Sequence, residues 1–85
     1  MRRLVSAPGP MNAPTLVRVQ VDGRGRPAVV AGERVELVRR DWLHRFAWWT
    51  DHPVCRRYYE VITTSGRRVV VFHDLQTGRW FSQKA

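Results

Sequence analysis

Residues 56–82 read RRYYEVITTSGRRVVVFHDLQTGRWFS, and this stretch decides the fold. β-Branched and aromatic residues crowd it at the density of strands. Two turn signals interrupt it, Ser65-Gly66 and Leu75-Gln76-Thr77-Gly78. Three antiparallel strands joined by two short turns are therefore expected between Arg56 and Gln83. With Ser65 and Gly66 as the loop residues, Thr64 pairs with Arg67, Val61 with Val70, and Tyr59 with Phe72. Tyr59, Val61, Val70 and Phe72 then share one face. Tyr58, Glu60, Ile62, Val69, Val71 and His73 share the other. Apolar residues on both faces suit a sheet that is strongly curled or covered by another segment. Gly78 supplies the left-handed position of a bulged turn. That places Trp80 opposite His73 and near Tyr58, in a structural role.

Upstream, Asp41 to Pro53 breaks the strand rhythm. Trp42, Leu43, Phe46, Trp48 and Trp49 fit either a short helix capped by Asp41 or a loop over the sheet, spanning 41–52. Pro53 ends any helix there. Buried aromatics plugging the end of a small barrel are the structural reading of this segment. Further upstream, Leu16–Val21 alternates as a strand, Asp22 to Pro27 is turn-rich, and a second strand covers Ala28–Ala31. Gly32 marks a reversal into a third strand over Arg34–Arg39, where Val35 and Leu37 alternate with Arg34 and Glu36. Residues 1–14 hold three of the five prolines and read as a flexible tail, leaving one small β domain over 15–85. The expected fold is all-β: a curled antiparallel meander of about six strands in a half-open barrel of SH3-like size.

The chain has 85 residues and a formal charge of +8, and fourteen of its fifteen basic residues are arginine. One domain of this size builds one core, near the lower end of what folds without staples or metals. Cys55 is the only cysteine, so no internal disulfide or thiolate cluster is expected. No apolar run approaches the roughly 18 residues of a membrane span. The opening MRRLVSAPGPMNAP has too little apolar sequence for a signal peptide, and a reducing cytoplasmic setting follows as the expectation. The basic excess points to polyanionic partners. Coding bias toward arginine is the competing account, though it explains arginine in place of lysine better than fifteen bases against seven acids.

Four arginine pairs stand out: Arg2-Arg3, Arg39-Arg40, Arg56-Arg57 and Arg67-Arg68. Strand neighbours point to opposite faces, so each pair offers about one guanidinium to a given surface. Arg39, Arg40, Arg45, Arg56, Arg57, Arg67 and Arg68 are the candidates for a phosphate-tracking stripe. Tyr58, Trp48 or Trp80 would supply stacking faces for single-stranded DNA or RNA. A solvated face with local Arg–Glu pairs is the alternative. His44, His52, His73 and Cys55 do not space as a zinc set, and Cys55 lacks a Cys–His–acid arrangement. Asp41, Asp51, Glu60 and Asp74 show no paired-carboxylate pattern, and Gly23-x-Gly25 lacks the helix that a phosphate loop needs. The expectation is a non-enzyme with no cofactor and no metal.

Trp42, Trp48-Trp49, Arg57-Tyr58-Tyr59, Val61, Gly66, Asp74, Gly78 and Trp80 together resemble a family of small bacterial domains of unknown function. A similar Trp-rich β pattern ends the inactive Y-family-polymerase-like subunit of bacterial mutagenesis cassettes. The resemblance covers residues 18–81 and is sharpest over 57–80. Residues 1–14 lie outside it, and Ser82-Gln83-Lys84-Ala85 departs from the aromatic or acidic ending of the family. The resemblance brings no catalytic residues. It implies an accessory or scaffolding role in DNA-damage tolerance, with a protein partner in a replication or translesion complex. A second function class is a protein-interaction or self-association module, such as a homodimer, using exposed edges at Leu16–Val21 and Arg79–Gln83.

Overall fold

The computed structural model describes residues 14–46, 49–51 and 53–83, which are all-β. The strands are β1 (Thr15–Leu16), β2 (Val19–Val21), β3 (Pro27–Val30), β4 (Glu33–Phe46), β5 (Val54–Thr63), β6 (Arg68–Asp74) and β7 (Trp80–Gln83). They form one antiparallel sheet in the order β1-β7-β6-β5-β4-β3-β2. Seven strands stand where six were expected because the stretch Leu16–Val21 changes partner in its middle. Thr15 and Leu16 pair with Ser82 and Phe81, whereas Val19 pairs with Val30. At the bend the Val17 amide donates to the Trp80 carbonyl (3.0 Å), and the Ala31 amide donates to that of Arg18 (2.9 Å). One short segment thus reaches both ends of the sheet, which curls back on itself as a half-open barrel. Of the expected tail, residues 1–13 lie outside the described residues.

The Ser65-Gly66 hairpin is offset by one residue from its expected register. Val61 pairs with Val69, Tyr59 with Val71 and Tyr58 with Phe72. The cause is the turn. The Gly66 amide donates to the Thr63 carbonyl (2.8 Å), the Thr63 amide to that of Arg67 (2.9 Å), and Gly66 has φ +88°. These are the marks of a three-residue loop with a glycine bulge. A one-residue shift exchanges faces. Tyr59, Val61, Val69 and Val71 therefore face the barrel interior, and Tyr58, Glu60, Val70 and Phe72 face outward.

The interior core consists of Val30, Tyr59, Val61 and Val71, with Val17, Val19, Val35, Val38, Val69 and Trp80 packed against it. Trp80 does pair with His73 as expected, and the two rings stack at 4.4 Å, parallel within 1°. Its other aromatic neighbour is Tyr59 at 5.7 Å rather than Tyr58, a consequence of the same register shift.

Strand β4 also departs from the expected pattern. Its register against β5 shifts between Val35 and Leu37 and again between Val38 and Arg40, leaving Glu36 and Arg39 as extra residues. Two bulges let Val35 and Val38 both enter the core and leave Leu37 55 % exposed. Regular alternation then resumes. The segment expected to be a loop or short helix is strand through Phe46, with Asp41 opposite Tyr59 and ion-paired to Arg57 (3.2 Å) instead of capping a helix. Residues 47, 48 and 52 lie outside the described residues.

Candidate nucleic-acid interface

The outward face carries a row of aromatic side chains, one from each of four adjacent strands. Trp42 pairs with Tyr58, Tyr58 with Phe72, and Phe72 with Phe81, so the row crosses β4, β5, β6 and β7 at one level. Successive ring centroids are 5.2, 5.0 and 5.2 Å apart. Trp42 and Tyr58 are parallel within 5°. His44, two residues along β4, meets Tyr58 edge-on at 6.3 Å and stacks with Phe46 at 6.4 Å. Cross-strand aromatic contacts of this kind stabilise a sheet beyond simple burial. They are possible here because the register puts ring opposite ring.

Arginines flank the row on both sides. On one side Arg40 lies across from Glu60, bonds it through Nε at 2.9 Å, and holds its guanidinium 5.1 Å from the Trp42 ring. Arg68 reaches the other oxygen of Glu60 at 3.6 Å. Glu60 is buried, yet most of each arginine side chain is exposed: 67 % for Arg40 and 54 % for Arg68. One carboxylate thus holds two cations, leaving a net positive charge. On the other side Arg56 lies over Phe72, its guanidinium carbon 4.6 Å from the ring centroid, and donates through Nη1 to the Tyr58 hydroxyl (3.4 Å). Its Nε is buried without an acceptor among the described residues, so packing holds this guanidinium in place.

The remaining sequence candidates fall elsewhere, and the expected single stripe is divided. Arg45 pairs with Cys55 and Arg57 with Leu43 and His73, on the alternate positions of β4 and β5, which turn to the opposite face from the aromatic row. Arg57 is tied to Asp41, and Arg67 in the hairpin loop is tied to Glu33 at 3.1 Å. Arg39 occupies a bulge and is exposed. Trp48 lies outside the described residues. Trp80, offered as a stacking surface, is half-buried against the core. The residues brought together are therefore Arg40, Arg56, Arg68 and Tyr58, joined by Trp42, Phe72 and Phe81, whose membership depends on register and bulges.

Asp22, Asp74 and Glu33 are held by local structure. Asp22 Oδ1 accepts the amides of Arg26 and Arg24, which hold its carboxyl below the usual range. Asp74 Oδ1 accepts those of Gln76 and Thr77. Glu33 has its carboxyl lowered by hydrogen bonds from the Thr63 and Ser65 hydroxyls, the first being the larger effect, and then by Arg67. Among the described residues no three His, Cys, Asp or Glu side chains gather as a metal set, and no helix is long and apolar enough to cross a membrane. A groove at the seam of the sheet, lined by Leu16, Val17, Arg18, Val29 and Gly32, carries no acid or nucleophile. No protein-family model, curated protein or solved structure matches the chain.

Proposed function

We propose that this domain is a non-enzymatic accessory module that binds nucleic acid through the outward face of β4–β7. One observation carries the reading: Arg40, Arg56 and Arg68 border the Trp42–Tyr58–Phe72–Phe81 row on a single face. Guanidinium groups suit phosphate, and the partly exposed rings of Trp42, Tyr58 and Phe81 suit the sugars and bases of a single strand, with buried Phe72 supporting them from beneath Arg56. DNA or RNA fits this chemistry equally. The accessory place in DNA-damage tolerance implied by the family resemblance, and its cytoplasmic setting, belong to the same proposal. Fluorescence anisotropy with short single-stranded DNA and RNA tests it. Affinity should fall steeply with salt as bound phosphates release counterions. Arg56→Ser/Arg68→Ser should bind weakly while folding normally, and Arg24→Ser, in a remote exposed turn, should bind as the parent does. Absence of binding at low salt, or equal binding by all three proteins, would sink the proposal.

A self-association module is the second reading, favoured by the side of β4 that, among the described residues, no strand covers beyond Arg34. Of the edges expected from sequence, Leu16–Val21 does carry the two outermost strands of the sheet, β1 and β2, whereas Arg79–Gln83 is not an edge. Arg79–Gln83 falls on β7, which lies between β1 and β6, and Leu16–Val21 is the segment that joins the two ends of the sheet.

A further inference from the structure

Strand β4 is fourteen residues long, but β3 pairs only with its first two, Glu33 and Arg34. Beyond them, among the described residues, no strand occupies the side of β4 turned away from β5. Unpaired backbone amides and carbonyls on such an edge are a template for another strand. The bulges at Glu36 and Arg39 interrupt the near half of that edge. The far half is regular, with every residue from Arg40 to Phe46 in continuous register with β5. Apolar exposure gathers on the same strand. Leu37, Trp42, Leu43 and Phe46, with Trp49 just beyond, are 37–68 % exposed and make up five of the eight exposed large apolar side chains of the described residues. A concentration of this kind marks an interaction surface.

The sequence of this edge also selects an occupant. Set antiparallel to itself about Leu43, Arg40-Asp41-Trp42-Leu43-His44-Arg45-Phe46 places Asp41 opposite Arg45 of a second copy, and Arg45 opposite Asp41. Leu43 then meets Leu43, Trp42 meets His44, and Arg40 meets Phe46. Opposite charges, apolar side chains and aromatic side chains each find a suitable neighbour, and no like charges stand directly opposite. Asp41, already joined to Arg57 of its own chain at 3.2 Å, would sit between two guanidiniums.

We propose that two copies of this chain associate through the Arg40–Phe46 edge of β4, in antiparallel register about Leu43, forming one sheet across a two-fold axis. The inference does not depend on nucleic-acid binding, because its test is run without nucleic acid. Light scattering on the full chain across a dilution series should show a mass that rises from one chain to two. Asp41→Arg and Arg45→Asp, each alone, place like charges opposite one another twice in the dimer, and should weaken it by roughly tenfold or more. In a mixed dimer the first variant presents two arginines at these positions and the second presents two aspartates. Both cross-edge pairs are then arginine against aspartate, so the mixture should recover the dimer that neither variant forms alone. Thermal melts of each variant establish that it is folded, and recovery on mixing cannot arise from a misfolded partner. A single-chain mass for the parent at every concentration would overturn the proposal, as it would if residues 1–13 or a different protein occupied this edge. So would single variants that dimerise as tightly as the parent, or a mixture that stays monomeric.

Discussion

Truncating Phe72 to alanine probes whether side chains alone can bury the outward face of this small sheet. Phe72 points away from the barrel interior yet is 1 % exposed. The groups that meet its ring are Arg56 at 4.6 Å, Tyr58 at 5.0 Å and Phe81 at 5.2 Å. Truncation of a buried phenylalanine costs about 3–5 kcal/mol. Cover made of side chains can settle into the vacated space, which favours the lower end, about 3 kcal/mol. A chain of 85 residues holds roughly 4–13 kcal/mol of stability, so the variant should remain folded but weakened. Arg56→Gln alone should cost about 0.5–1 kcal/mol by removing the cation–π contact. In the double variant that contact has already gone, so the two costs should sum to about 0.5–1 kcal/mol less than additivity requires. Urea denaturation of the four proteins, followed by far-ultraviolet circular dichroism, measures both quantities. A Phe72→Ala loss below about 1 kcal/mol, or strictly additive costs, would refute the claim that Arg56 and the aromatic row bury this ring.

Three further outcomes are expected. Ala31 holds φ +49° beside Gly32 in the two-residue turn between β3 and β4, a turn that prefers Asn-Gly, so Ala31→Asn should raise stability by about 0.5–1 kcal/mol; an unchanged or lower denaturation midpoint counts against the turn assignment. Glu33 has its carboxyl lowered from 4.5 by Thr63, Ser65 and Arg67, so it stabilises the fold above the unfolded-state carboxyl range and loses that contribution as pH falls through its folded value. Glu33→Gln should therefore flatten the decline of stability below pH 4.5, and an unaltered decline would contradict the sign. Glu60→Gln removes the one carboxylate between Arg40 and Arg68; a phosphate roughly 7 Å away at a dielectric near 80 then gains about 0.6 kcal/mol, close to threefold in affinity for single-stranded DNA, and equal or weaker binding by a folded variant would speak against Glu60 as a neutralising group.

The strands and the all-β class were legible because β-branched and aromatic residues leave a period-two signal that turns punctuate. Faces were less legible. A glycine bulge after Thr64-Ser65 changed the hairpin register by one residue, and this alone moved Phe72 and Val70 outward and Val69 and Val71 inward. The two bulges in β4 leave no clear mark in Glu36 and Arg39, since any polar residue fits a bulge facing solvent. The aromatic density of Trp42, Leu43 and Phe46 resembled a helix face because helix and strand periods are hard to separate over so short a run. Tyr58, Arg40, Arg56 and Arg68 were nameable as candidates from their type. Their gathering on one face was not, because it depends on pairing across four strands.

Strand β4 carries Arg40 and Trp42 of the outward face as well as the proposed dimer edge. A two-fold axis perpendicular to the sheet leaves both copies showing the same face on the same side. The aromatic rows and the arginines at Arg40, Arg56 and Arg68 would then form one surface spanning two chains. Three phosphate contacts on a single strand correspond to a salt slope of about −2, and six correspond to about −4. Arg45→Asp alters neither the aromatic row nor these arginines, since Arg45 lies on the opposite face of β4. It should nonetheless bring the slope from about −4 towards −2 by separating the copies. Adding an equal amount of Asp41→Arg should return it, because mixing restores the dimer. Anisotropy titrations at four or more salt concentrations, roughly 50 to 200 mM, resolve a difference of that size. A slope that stays the same for the parent, the Arg45→Asp variant and the mixture would separate the two surfaces, leaving any dimer without a part in binding nucleic acid.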